Sequence, residues 1–408
     1  MSDRPDLREA RRMLPLVMAI AGLGVLTFTL IAPALPDLAD ELGVSRATIG
    51  WIQGVVAMPG VFLALFIGYF YDRAGRRVVV MVSLLLFGLA GTAGFFARSF
   101  WPMVAVRAIQ GIGTSGILAM GIVVIGDLFP AGASRRWALG LNTAAMTVTG
   151  LVAPIVGGAL AEVDPFAPFL VFSAAIPLAW FARRLPGAPA GGMHQPPIRH
   201  VGDAFASLRS GGRLADFLGL LPFALVWMVV FAGLGSTATP LFLEDEFGAS
   251  SSLRGLIQAF LAVGSTTGAL IAARAAGRFG VSRVFSAGFG LIGVGFALVA
   301  AAPALPFVAA GLAVIGFGSG ITFPLLQDFV ASAVPDAYRG AAVGIFVTAV
   351  RVGQSFGPVA GSTMAVTPGA RISFTGAAAG SLVIMLVWQP IRRAANRRMT
   401  DGHRRGGP

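Results

Sequence analysis

The stretch Gly68-Tyr69-Phe70-Tyr71-Asp72-Arg73-Ala74-Gly75-Arg76-Arg77 decides the fold. It lies between two apolar runs, each about long enough to cross a bilayer. Four charges and two glycines do not belong in hydrocarbon, so these residues form a polar turn where one membrane helix ends and the next begins. Gly68 lets a neighbouring helix come close, and Gly75 supplies the positive φ that stops a helix. Asp72 and Arg76, four apart, share a helical face. On spacing alone the turn reads equally as a positive loop that fixes orientation.

Composition agrees with a membrane chain. The 408 residues are 56% hydrophobic and 12% charged, with mean hydropathy +0.81; a soluble domain carries about 25% charge. There is no cysteine and no lysine, since all 30 basic residues are arginine. This excludes disulfides, a Walker lysine and Schiff-base chemistry. The net charge of +12 raises nucleic acid as a partner, but the arginines are distributed as membrane proteins distribute them. His194, His200 and His403 lack metal-site spacing, so neither metal nor cofactor is expected. The G-x-G-x-x-G matches at Gly111 and Gly288 lie inside apolar helices with no strand before them, and read as packing glycines.

Outward from the turn, helices are predicted near 13–36, 48–70, 78–97, 101–126, 137–161 and 166–183. Six more fall near 214–241, 252–275, 283–302, 306–333, 339–365 and 371–391. The first is read as an uncleaved helix rather than a signal peptide. Four arginines fall in outer turns (Arg46, Arg98, Arg254 and Arg371), two in spans (Arg107 and Arg351), and the other 24 on the side of both termini. The positive-inside rule then places both termini in the cytoplasm. The chain repeats at an offset of about 205: Gly50-Trp51-Ile52-Gln53 returns as Gly255-Leu256-Ile257-Gln258, and Gly111-Ile112-Gly113 as Gly316-Phe317-Gly318. Two parallel six-helix repeats follow. The expected division is 1–182, a central cytoplasmic linker 183–213 with a short interfacial helix over 201–208, and 214–408 with a basic tail.

The spacing G-x-x-x-D-R-x-G-R-R closely resembles the loop between helices 2 and 3 of the major facilitator superfamily. Arg107-Ala108-Ile109-Gln110-Gly111-Ile112-Gly113 resembles its helix-4 motif. Gly150 to Gly158, with Pro154 and Gly157, resembles the antiporter motif, with Ala153 in place of a glycine; Gly357-Pro358 keeps the pair in helix 11. The resemblance, to the twelve-helix drug:proton antiporter branch, covers residues ~13–395. It implies an all-α membrane fold and transport by alternating access, not enzyme catalysis. It also implies a cytoplasmic gate of Gly68, Asp72, Arg73, Gly75, Arg76 and Asp127. In that gate Asp72 faces the helix start near Arg339-Gly340, and Arg76 pairs with Asp127. Gly277 stands where the second repeat would place the acid of Asp72.

Candidate substrate and coupling residues are Arg107, Gln110, Gln53, Gln258 and Asn142, with Gln327, Asp328, Arg351 and Gln354 in the second half. Intramembrane ionisable residues are functional by default; a structural role for Arg107, and a structural Arg351–Asp328 pair, are the competing readings. Asp328 is read as the one acid well inside a span. Arg107 and Arg351 are expected at similar depths, where both reach one ligand. Helix 1 has no acid in its interior, unlike many proton antiporters of this type, and two arginines against one acid favour an anionic or neutral substrate. The resemblance, rather than these charges, implies the expected function: proton-coupled efflux of a small organic molecule or drug across the cell inner membrane by a monomer. The alternatives are an organic-anion importer and a transporter-like receptor or scaffold.

Overall fold

The computed structural model describes residues 7–130, 132–185, 214–332 and 339–405. Every regular element among them is helical. The predicted interfacial helix over 201–208 lies outside the described residues. The first group of helices is α1 (Leu7–Thr29), α2 (Leu35–Glu41), α3 (Gly50–Gly54), α4 (Met58–Ala74), α5 (Arg76–Ala93), α6 (Phe100–Leu128), α7 (Ala133–Ala161) and α8 (Ala175–Phe181). The second is α9 (Leu214–Met228), α10 (Thr239–Phe247), α11 (Ser251–Phe279), α12 (Val281–Ala300), α13 (Leu305–Ser332), α14 (Arg339–Met364) and α15 (Ala370–Arg405). Eight helical stretches of the described chain are long and apolar enough to cross a membrane.

Several predicted helices prove to be jointed. A 3-10 turn at Ala32–Ala34 separates α1 from α2, beside Pro33 and Pro36. Proline lacks an N–H and cannot continue the i→i−4 ladder. A second 3-10 turn, Val55–Ala57, divides α3 from α4 ahead of Pro59. Between α9 and α10 the chain is a π-helix over Val229–Ala238. There Thr239 donates its hydroxyl to the Leu234 carbonyl, five residues back, and the single Thr237 proton is shared between the Ala232 carbonyl, also five back, and Gln53 Oε1. At the quoted turn α4 stops at Gly75, whose φ is +83°. That conformation costs a residue with a Cβ and costs glycine nothing.

Hydrophobic burial falls into two clusters. One draws on Ala10 to Leu185 together with Leu241; the other runs from Phe217 to Trp388. Within each, small residues bring backbones into contact. A Cβ on Gly157 would lie 1.8 Å from the Leu30 carbonyl oxygen, and one on Gly264 would lie 1.9 Å from that of Ala313. Without a hydrophobic driving force between helices in lipid, such approach supplies the dispersion that holds them.

This packing sets a stability test. Gly264→Ala forces backbone apart and should cost about 1–3 kcal/mol, the range for overpacking. Gly277→Ala meets nothing within 4 Å and should be neutral or gain up to about 1 kcal/mol in helix propensity. Thermal unfolding in detergent reads both; equal midpoints for the two variants would refute the packing argument.

Candidate functional site: the seam between the two clusters

The two groups of helices meet along two seams. In one, α7 lies on α11: a Cβ on Gly158 would strike the Ser251 carbonyl oxygen at 2.3 Å, and one on Gly255 that of Pro154 at 2.1 Å. In the other, α3 lies on α14: Cβ atoms on Gly50 and Gly54 would lie 2.3 Å and 2.1 Å from the carbonyl oxygens of Pro358 and Ser355. Ser362 closes this seam by donating to Ala47 O at 2.7 Å. Gly150 faces Val25 and Ala262 more loosely, and Gly357 approaches Val229 of the π-helix.

One end of the molecule carries a layer of charge across both seams. Arg254 of α11, 1% exposed, donates to Glu244 at 2.8 Å and to Asp37 of the first group. Arg46 reaches Asp40 at 3.2 Å, Glu244 at 3.4 Å and Asp245 at 3.9 Å. Glu162 accepts the backbone N–H of Ser252 at 2.8 Å. Arg98 pairs with Asp164, and Arg371 with Glu246. All four arginines assigned to outer turns are thus ion-paired. Sequence reasoning counted them as exceptions to a charge rule and gave them no role. The legible signal was that an arginine on the wrong side needs a carboxylate, and Asp37, Asp40-Glu41 and Glu244-Asp245-Glu246 lie on that side.

Below this layer a cavity of about 310 Å³ opens between α1, α7, the π-helix and α11. Val25, Met146, Phe231 and Leu261 form its apolar wall; Thr29, Thr143, Thr147, Ser236, Ser265 and Thr266 supply hydroxyls, and Gln258 an amide. No charged side chain lines it. Gln53 stands above it and bridges the seams: its amide nitrogen donates to Phe28 O and Ser236 Oγ, and its amide oxygen accepts from Thr237 Oγ. Gln258, its counterpart in the repeat, donates to Ser236 O at 3.0 Å.

The structure separates the two intramembrane arginines. Arg107 donates to Thr27 O, Ile52 O and Gln110 Oε1, at 2.7 to 3.1 Å, with Phe169 and Phe172 ring centres 6.0 Å away. Both carbonyls sit where a helix is broken, so their α-helical donors are missing. Arg107 satisfies them and is 1% exposed. Arg351 instead lies against Gly60 and Ser115, and donates to Gln354 Oε1 at 3.2 Å. Ser115 and Gly60 are eight residues beyond Arg107 and Ile52, so the two guanidinium groups lie about 12 Å apart in depth. The expectation of equal depth is corrected. A long side chain points back toward its helix N-terminus, and that direction carries Arg351 away from the acidic end.

The expected burial of Asp328 is also corrected. Asp328 and Gln327 are exposed, and Arg351 has no carboxylate partner among the described residues. Depth along a span did not determine which helix face Asp328 occupies. Gln110 Nε2 and Asn142 Oδ1 are buried without a partner, and Asn142 Nδ2 donates only to Met146 Sδ. Of the proposed gate, Arg73 is exposed and Asp127 half-buried, each with an interaction of its own. The side chains of Asp72 and Arg76 lie outside the described residues, as do Gly68 burial and the side chain of Arg339.

Two outcomes follow for the charged layer. Arg254→Met strands Asp37 and Glu244, and losing one partner of a buried pair costs about 3 kcal/mol or more, so the acidic end should open. Because the chain has no cysteine, spin labels at Val163→Cys and Ala304→Cys need no background removal, and their distance should lengthen. An unaltered distance distribution would show that Arg254 is not a latch. The second outcome is a pH response. Hydrogen bonds from the Ser252 side chain and backbone hold Glu162 below its ordinary value of 4.5, against an opposing effect of burial. The sealed form therefore binds this proton less tightly than the open one. The contact stabilises the seal above the open-form pKa and is lost as pH falls through the lower sealed-form value. Acid below about pH 4.5 should lengthen the same distance, and Glu162→Gln should flatten that response.

Comparison with known proteins follows the same outline. The model of the Major Facilitator Superfamily matches residues 17–245 and 232–405. The uncharacterised MFS-type transporter YceJ of Bacillus subtilis is 26% identical over 389 residues, 93% of this chain and 95% of that one. The multidrug efflux pump LfrA of Mycolicibacterium smegmatis is 24% identical over 395 residues, 83% of this chain and 78% of that one. The crystal structure of the human organic anion transporter MFSD10 superposes with a TM-score of 0.67 at 20% identity, over 93% of this chain and 99% of that one. The jointed helices, the two seams and these matches agree: the chain belongs to the Major Facilitator Superfamily.

Proposed function

We propose that this chain exports a small, largely apolar organic molecule by alternating access, with the cavity between α1, α7 and α11 as its binding site. The observation that carries this reading is the placement of that cavity: it lies between the two clusters, beneath a seam closed by glycine contacts and ion pairs. A site so placed meets one face of the membrane or the other as the clusters rock. In this reading the molecule has twelve spans, as two parallel six-helix halves (1–182 and 214–408) about a cytoplasmic linker. It is a monomer in the cell membrane with both termini in the cytoplasm, and the acidic end faces outward. The likeness to the efflux pump LfrA supports export. With no Walker lysine, an ion gradient supplies the energy. Protons are the proposed ion and Asp328, on the exposed face of α13, their proposed carrier. Asp72, Arg76 and Asp127 are the proposed gate at the basic end.

The test is accumulation of a fluorescent lipophilic dye in inverted membrane vesicles. Vesicles carrying the chain should accumulate dye when acidified inside, and collapse of the pH gradient should stop it. Thr147→Phe, which fills the cavity, should reduce the rate at least tenfold at equal protein level. Asp328→Asn should abolish the response to pH while leaving dye exchange at equal pH. Full activity in Thr147→Phe would remove the cavity from the transport path.

A further inference from the structure

The cavity wall has a direction of hydrogen bonding. Thr29, Thr143 and Thr266 each donate their hydroxyl proton to the carbonyl four residues back, at 2.8 to 3.1 Å. What they present to the cavity is lone pairs. Gln258 uses one of its two amide N–H groups on Ser236 O; its second N–H and its amide oxygen have no partner among the described residues, so it can both donate and accept. Thr147, Ser236 and Ser265 keep a hydroxyl proton able to turn either way. All seven groups can accept; four can donate. No arginine, histidine or carboxylate lines the space, and Phe231, Met146, Val25 and Leu261 complete it.

We propose that this cavity selects uncharged aromatic molecules bearing N–H or O–H donors and rejects carboxylates. This rests on the reading of the cavity as the transport site. A donor group entering from water exchanges one acceptor for another and loses little. A carboxylate has only acceptor sites. Here it meets three hydroxyls whose protons are already committed to backbone and finds no cation, so the neutral donors that remain compensate only part of its desolvation. A cation gains lone pairs but no counter-charge, which leaves the neutral donor as the best match. The apolar wall takes the ring, with Met146 sulfur and Phe231 as soft contacts. About 310 Å³ is at the small end for ligand pockets and suits a two-ring core.

The test uses the purified full chain in nanodiscs and calorimetric titration with matched probes. These are 2-naphthamide against N,N-dimethyl-2-naphthamide, 2-naphthol against 2-methoxynaphthalene, and 2-naphthoate. Each donor-bearing member should bind about fivefold to tenfold more tightly than its methylated partner, and 2-naphthoate the most weakly of all. Gln258→Leu should bring the first ratio toward one. Thr266→Val removes an acceptor of the same shape without touching the Ser236 bridge, and should lower the ratio even if Gln258→Leu does not fold. Ratios near one in the parent, tighter binding of 2-naphthoate, no binding by any probe, or unchanged ratios in Thr266→Val would each overturn the proposal. Donor preference without dye transport would remove the transport reading alone; dye transport without donor preference would remove this one.

Discussion

A break in a membrane helix leaves carbonyls that hydrocarbon cannot hydrate, and most of this molecule's polar chemistry answers that constraint. The joint after α1 and the joint between α3 and α4 expose Thr27 O and Ile52 O, and a single guanidinium from α6 takes both. The joint after α1 also leaves Phe28 O, which Gln53 takes. In the π-helix, threonine hydroxyls return to carbonyls five residues back. Each joint is tolerated because a side chain, from a neighbouring helix or from the jointed segment itself, takes the freed carbonyls.

The same economy shapes the seam. Helices that touch through glycine and carbonyl groups leave no room for water, as at Gly158 against Ser251 and Gly255 against Pro154. Nothing in such a contact is directional enough to hold two bodies in one register. The charged layer at the acidic end supplies that register: Arg254 holds Glu244 and, 217 positions away in sequence, Asp37. Arg254 is buried but its carboxylate partners Asp37 and Glu244 are about a quarter exposed, so water can replace the arginine when the bodies part. A dry pair deep in the span lacks that exchange, which accounts for the latch lying at the end of the molecule.

Arg107 and Arg351 illustrate how the same residue type divides between roles. The Arg107 guanidinium binds backbone carbonyls and a glutamine and is 1% exposed. Arg351, about two helical turns deeper, holds a glutamine and lies at the α4–α14 contact. The acceptor-lined cavity lies at the other seam, on α7 and α11. Charge counted along the sequence does not distinguish an arginine that faces a cavity from one that closes a broken helix.

Several features were legible in the sequence because their causes are local. The apolar runs give the helices, the Gly75 turn gives the end of α4, and the family motifs give the superfamily. The repeat signalled Gln53 and Gln258, although spacing alone did not show that both close on Ser236. The joints were half legible in Pro33, Pro36 and Pro59, since proline breaks a ladder wherever it stands. What the sequence left open is everything that depends on rotation about a helix axis. Asp328 is exposed and Arg351 points toward the basic end, yet a shift of one or two residues along α13 or α14 would change either outcome. Hydropathy in an all-apolar span is nearly the same on every face, so it carries no phase. Only the packing of glycine against backbone fixes the phase, and with it which oxygens line the cavity and which arginine meets Asp37.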